Sequence, residues 1–215
     1  MGQGRAEGVL RDAALALART LAAELRDVDE GEGRDGGSRE GGAASGGAAL
    51  ADEAVAGDSL SDLALYDGAA GRAVWLAACA QVSAEPLFDF PLAKALARFE
   101  SVLDRWDRQG APDGPIGVLN GFGSLVWSLV WVARLRPSAR SFAKREAPLE
   151  LASRAATWIT PSRLAGDLRL DIEGGLAGAV LALLTIFEAT GAGEWLELAV
   201  RAGGELVDRQ QAAPT

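Results

Sequence analysis

The sequence predicts an all-α protein built from repeated helical hairpins, and three observations carry that expectation. A short glycine motif recurs three times, each copy opening a long apolar stretch: YDGAAGRAVWLAACAQV from Tyr66, NGFGSLVWSLVWVARL from Asn120 and EGGLAGAVLALLTIFEAT from Glu173. Gly68, Gly121 and Gly175 stand 53 and 54 residues apart, and three residues beyond each is a second small residue, Gly71, Ser124 or Gly178. Between the copies lie one-sided apolar stripes at helical spacing, and nothing reads as alternating strand positions. Regular self-similarity of this kind marks stacked units that bury their apolar faces against one another.

In chain order, Leu10, Leu17, Leu21 and Leu25 predict an amphipathic outer helix over Ala6 to Arg26, within an N-terminal unit of residues 1–27. Residues 28–57 read as a flexible, glycine-rich acidic linker, too polar to bury the apolar area that ordering requires; an acidic docking tail is the functional alternative. Residues 58–210 form the repeat region, and 211–215 a polar tail.

Within the repeats, the stretches from Gly71, Ser124 and Leu176 are apolar nearly all round, as expected of inner helices enclosed by protein. Leu92, Leu96, Phe99, Leu103 and Trp106 step by four and three, which predicts a one-sided outer helix; Leu149, Ala152, Ala156 and Ile159 repeat the stripe, as do Trp195, Leu198, Ala202 and Leu206. Pro91 and Pro148 fit first turns of outer helices, where a missing N–H costs little. The segments Ala111 to Pro115 and Pro161 to Gly166 read as helix-breaking connections. Continued far enough, such a stack would close into an α/α toroid.

Composition narrows the chemistry. Of the net charge of −9, the segment Asp27 to Asp58 holds −7, from nine acidic residues against Arg34 and Arg39. The rest is nearly neutral, so there is no basic footprint for nucleic acid or anionic membrane. The chain has no histidine and one cysteine, Cys79, which excludes Ser–His–Asp and Cys–His catalysis and an intrachain disulfide. The N-terminal stretch lacks the continuous apolar region of a secretory signal, and the runs Leu125 to Ala133 and Leu176 to Leu184 are too short to span a bilayer. A cytoplasmic protein is expected. Arginine far outnumbers lysine, which fits a bacterial genome rich in G and C.

The glycines at the inner-helix starts have two readings. They allow tight helix packing, or they let a ligand approach helix N-termini whose N–H groups favour an anion, with three such ends facing one cavity. Asp67 and Asn120, each just before a motif glycine, read as caps or turn formers. Asp171 reads as an N-cap or first-turn residue, and Glu173 as a loop or helix-start charge. Cys79, Trp75, Trp127 and Trp131 read as packing residues, the tryptophans with peptide contact as an alternative.

The set LYDGAAG (Leu65 to Gly71), LNGFGSLVWSL (Leu119 to Leu129) and LDIEGGLAGAVLALL (Leu170 to Leu184) resembles the lanthionine synthetase cyclase family, and most closely the cyclase region of class II lanthipeptide synthetases. The resemblance covers roughly residues 60–210. It implies an α/α toroid of seven hairpins, of which this chain would supply about three. It implies thioether ring formation, in which a zinc-bound cysteine thiolate of a precursor peptide adds to a dehydroalanine or dehydrobutyrine. The family's D-x-x-x-G-x-x-G aspartate, which contributes to proton chemistry, corresponds to Asp171, followed by Gly175 and Gly178. The motif positions Asp67, Gly68, Gly71, Asn120, Gly121, Gly123, Gly174, Gly175 and Gly178 would then line the cavity.

The resemblance also implies what is missing. Zinc is expected for the intact family domain, but its ligands, two cysteines and a histidine, have no counterpart in this chain. The chain alone is therefore expected to be inactive, and to need a precursor peptide and a complementing cyclase half, or to self-associate through its open edges. Two other readings remain: a non-enzymatic helical scaffold that binds peptide, and a carbohydrate-active α/α toroid using Asp171 or Glu173 with an opposed carboxylate.

Overall fold

A computed structural model describes Ala16, Arg19 and residues 59–83, 86–142 and 144–212. Ala16 and Arg19 are helical; the remainder of the expected N-terminal helix, the linker and the last three residues lie outside the described residues. The described chain is all-helical, with no strand among its described residues and one isolated bridge, Ile116 to Gly121.

The first element is α1, Ala69–Ser83, whose buried face is mostly alanine. A 3-10 turn, Pro86–Phe88, leads into α2, Asp89–Gln109, on which Leu92, Leu96, Phe99, Leu103 and Trp106 are all buried, as their spacing predicts. Each such side chain contributes about 1.5–3 kcal/mol on leaving water. Gly110, at a φ of +87°, ends α2 by donating its N–H to the Trp106 carbonyl. Then come α3, Phe122–Leu135, and α4, Pro148–Ala156. Pro148 opens α4, and the Glu150 carboxylate accepts the Ala147 N–H at 2.6 Å.

Pro161–Gly166, expected as a mere connection, forms a short helix, α5. A proline at the first helical position starts a helix as readily as it breaks one, and here the Thr160 hydroxyl accepts the Arg163 N–H to cap it. The chain finishes with α6, Leu176–Thr190, and α7, Gly193–Ala212. Gly191, left-handed at a φ of +71°, turns one into the other.

Helix α3 lies between α1 and α6, and these three pack side by side as an inner row. Each inner helix also pairs with the outer helix that follows it: α1 with α2, α3 with α4, α6 with α7. Trp106 and Phe122 meet edge to face at 5.4 Å, joining an outer helix to the first residue of an inner one. Trp158 also meets Trp106 edge to face, at 6.3 Å.

One polar group interrupts the buried face of α2. Glu100, 1% exposed, accepts the Ser141 hydroxyl and the Lys144 N–H, the latter at 3.1 Å, and so pins the loop between α3 and α4. Nearby, Arg154 bridges Asp104, Asp107 and Glu146, tying α4 to α2.

Candidate functional site

The three glycine motifs close their helices in one way. The residue after each motif glycine donates its N–H to a carbonyl seven residues back: Ala69 to Asp62 at 2.8 Å, Phe122 to Pro115 at 3.1 Å and Leu176 to Arg169 at 3.0 Å. A second bond follows in each copy, Ala70 to Leu63, Gly123 to Ile116 and Gly178 to Asp171, each at 3.3 Å. Every inner helix thus begins under a loop of its own chain.

That closure explains the glycines. A Cβ on Gly121 would stand 2.2 Å from the Pro115 oxygen, and one on Gly178 would stand 2.1 Å from the Ile172 oxygen. Backbone fills the space a side chain would need, and Gly121 also takes a φ of +134°. Gly68, Gly121, Gly123, Gly174, Gly175 and Gly178 are buried and Gly71 is half-buried. The amides named above are spent on the protein's own carbonyls rather than offered to an anion, because the loop reaches each helix end first.

The loops are also stitched to one another. Leu65 donates to the Leu119 carbonyl at 3.2 Å, Val118 to Ile172 at 3.2 Å, and Leu119 and Asn120 both donate to Glu173, at 3.1 and 3.0 Å. The first loop therefore gives to the second and the second to the third, which brings the three helix starts to one end of the inner row.

Asp171 sits on this end, exposed, in the third loop. Its Oδ1 accepts the Gly174 N–H at 2.8 Å. That bond, foremost, and the nearby Arg169 charge hold the carboxyl below the usual aspartate range. The side chain caps its turn, not the helix: the N-cap of α6 is Gly175, with no side-chain cap. Asp67 is exposed, Asn120 is half-buried and Glu173 is exposed, with the Glu173 carbonyl taking both amides of the second loop. A carboxylate kept ionised can accept a hydrogen bond or attract positive charge, but it is a poor proton donor at neutral pH.

Sequence reasoning passed over Arg163. Its guanidinium lies 4.4 Å from the Phe122 ring centroid and donates to the Pro112 carbonyl at 3.0 Å, bracing the second loop against α5. Cys79 is half-buried in α1, and burial pushes its thiol pKa up. Trp75, Trp127 and Trp131 are half-buried, with Trp127 and Trp131 in contact at 5.5 Å. Among the described residues, no group of three or more His, Cys, Asp or Glu side chains is placed to hold a metal ion. No helix of the described residues is long and apolar enough to cross a membrane.

Comparisons with protein-family models, curated proteins and solved structures found no match.

Proposed function

We propose that this chain is a partial lanthionine synthetase cyclase-like module, an arc of an α/α toroid that takes part in thioether ring formation on a ribosomal peptide. The observation that carries the reading is the threefold seven-residue closure at the inner-helix starts, joined loop to loop in one direction. Each further hairpin of the same kind could add its loop to this row, which supports the reading of an arc. In this reading the loops that cover the helix starts face the peptide, and the ionised Asp171 carboxylate, exposed on the third loop, takes up or steers the proton that accompanies ring closure.

Zinc, which would activate the peptide thiol in the family reaction, is not supplied with ligands by this chain. With no histidine and only Cys79, the residues present do not fit a site of two cysteines and a histidine. The metal-holding part belongs to a complementing cyclase half, and the described chain contributes framework and Asp171.

Ring closure is an addition that leaves peptide mass unchanged, so it is read as loss of maleimide-reactive thiol from a dehydrated, cysteine-containing precursor peptide. The expected result is no closure by this chain alone, closure on mixing with a zinc-bearing cyclase half, and a rate about tenfold or more lower with Asp171→Ala. Absence of both association and thiol loss on mixing overturns the reading.

A second reading, a peptide-binding scaffold without chemistry, is favoured by apolar side chains in the first and third loops: Tyr66 and Leu168 are each 86% exposed and Ile172 48%. It predicts peptide affinity that is independent of metal and unchanged in Asp171→Asn.

A further inference from the structure

The ladder of loops ends in unused hydrogen-bonding groups, and its two ends complement each other. The bonds run one way: Leu65 of the first loop donates to the second, and Val118 and Leu119 of the second donate to the third. By the repeat offset of 54, Ile172 holds in the third loop the place of Val118, yet no hydrogen bond among the described residues uses its N–H. At the other end, the repeat offsets make the carbonyls of Leu65 and Tyr66 the counterparts of the acceptors on Ile172 and Glu173. Neither accepts a hydrogen bond among the described residues. The third loop thus offers a free donor and the first loop free acceptors, beside the exposed side chains of Ile172 and Tyr66.

The inner helices repeat the pattern. Among the described elements α3 has an inner neighbour on each side, while α1 and α6 each have one. On α6, Ala177 and Leu184 are only half-buried, whereas their counterparts on α3, Gly123 and Val130, are buried; Leu181, between them, is 41% exposed. On α1, Gly71 and Trp75 are half-buried where their α3 counterparts Ser124 and Ser128 are buried, and Val82 is 56% exposed.

Each bare face is therefore the counterpart of one that a neighbouring repeat covers elsewhere in the same row. A second copy of the chain carries what each lacks: its first loop brings carbonyls to the Ile172 N–H, and its α1 brings an apolar face to Leu181 and Leu184. The contact would continue the seams already formed between α1 and α3 and between α3 and α6. It joins two different surfaces, so it is head to tail rather than two-fold symmetric.

We infer that the chain associates head to tail with a second copy, α6 and the third loop of one chain packing on α1 and the first loop of the next, with the Ile172 N–H donated to the Leu65 or Tyr66 carbonyl. This association rests on the loop ladder and the inner row, not on the cyclase reading; a cyclase half would compete for the same edge.

The test is sedimentation of the full chain alone, without zinc or peptide. The expected result is an average mass that rises about twofold or more between roughly 1 and 200 μM chain. Leu181→Glu blocks the tail and Val82→Glu the head, both at exposed positions. Each variant alone should stay monomeric, but mixing the two should give pairs that grow no further, because one intact head and one intact tail remain. Pairing on mixing also shows that both variants fold. Independently of any variant, hydrogen exchange at the Ile172 amide of the parent chain should slow about tenfold or more at the higher concentration. A parent chain that stays monomeric, or an Ile172 amide that exchanges alike at both concentrations, overturns the inference. So does association that survives either substitution, or failure to pair on mixing by variants that keep the parent's circular dichroism.

Discussion

Gly121 faces the Pro115 carbonyl so closely that a Cβ would lie 2.2 Å from its oxygen, and it does so at a φ of +134°. Both conditions forbid a side chain, and both arise because the Phe122 amide must reach that carbonyl. Gly121→Ala is expected to destabilise the protein by about 2–4 kcal/mol in chemical denaturation. Gly204→Ala, at an exposed position of α7 with nothing within 4 Å of the added carbon, should instead stabilise by roughly 0.5–1 kcal/mol. Equal effects at the two sites would refute the packing account.

Glu100 offers its carboxylate to Ser141 and Lys144 from within the apolar face of α2. Glu100→Ala should cost about 2–4 kcal/mol, since it removes a buried acceptor and leaves the Lys144 N–H without it. Hydrogen exchange should rise first in residues 141–147, the loop that the carboxylate holds. Uniform loss of protection would place the effect elsewhere.

Asp104 is held below the usual aspartate range, first by its hydrogen bond from Lys144 and then by Arg154. A depressed folded pKa gives stability that is present above the unfolded value, near 4, and is lost as pH falls through the folded value. Stability should therefore fall on acidification below about pH 4, and Arg154→Met should flatten that limb. At pH 7 the same substitution should cost roughly 1–2 kcal/mol, because it leaves Asp104, Asp107 and Glu146 facing one another. An unchanged acid limb in the variant would exclude the network as its source.

Cys79 is half-buried, with its thiol pKa raised by burial. Its reaction with a disulfide reagent at pH 8 should be about tenfold or more slower in the folded chain than in denaturant. A native rate equal to the denatured one would show an exposed thiol.

The outer helices were legible because packing on one side leaves a periodic trace: Leu92, Leu96, Phe99, Leu103 and Trp106 are buried where their spacing puts them. Glu100 left no such trace, since its partners Ser141 and Lys144 come from another part of the chain. The short α5 was hidden by Pro161, which reads as a break until the Thr160 cap shows that it begins a helix. Asp171 was expected as an N-cap or first-turn residue of the helix, and its bond to Gly174 rather than to a helix amide depends on how the third loop bends.

The sequence by itself determined the three glycine-opened helices, the one-sided helices that follow them and the period of the glycines, because these follow from local propensity and apolar spacing. Only the tertiary structure decided what the glycines face. The carbonyls that crowd them, and the neighbouring loop that takes the Leu65, Val118 and Leu119 amides, are brought close by chain return and helix packing. Contacts between backbone groups carry no side-chain signature, so no reading of residue types could have located them.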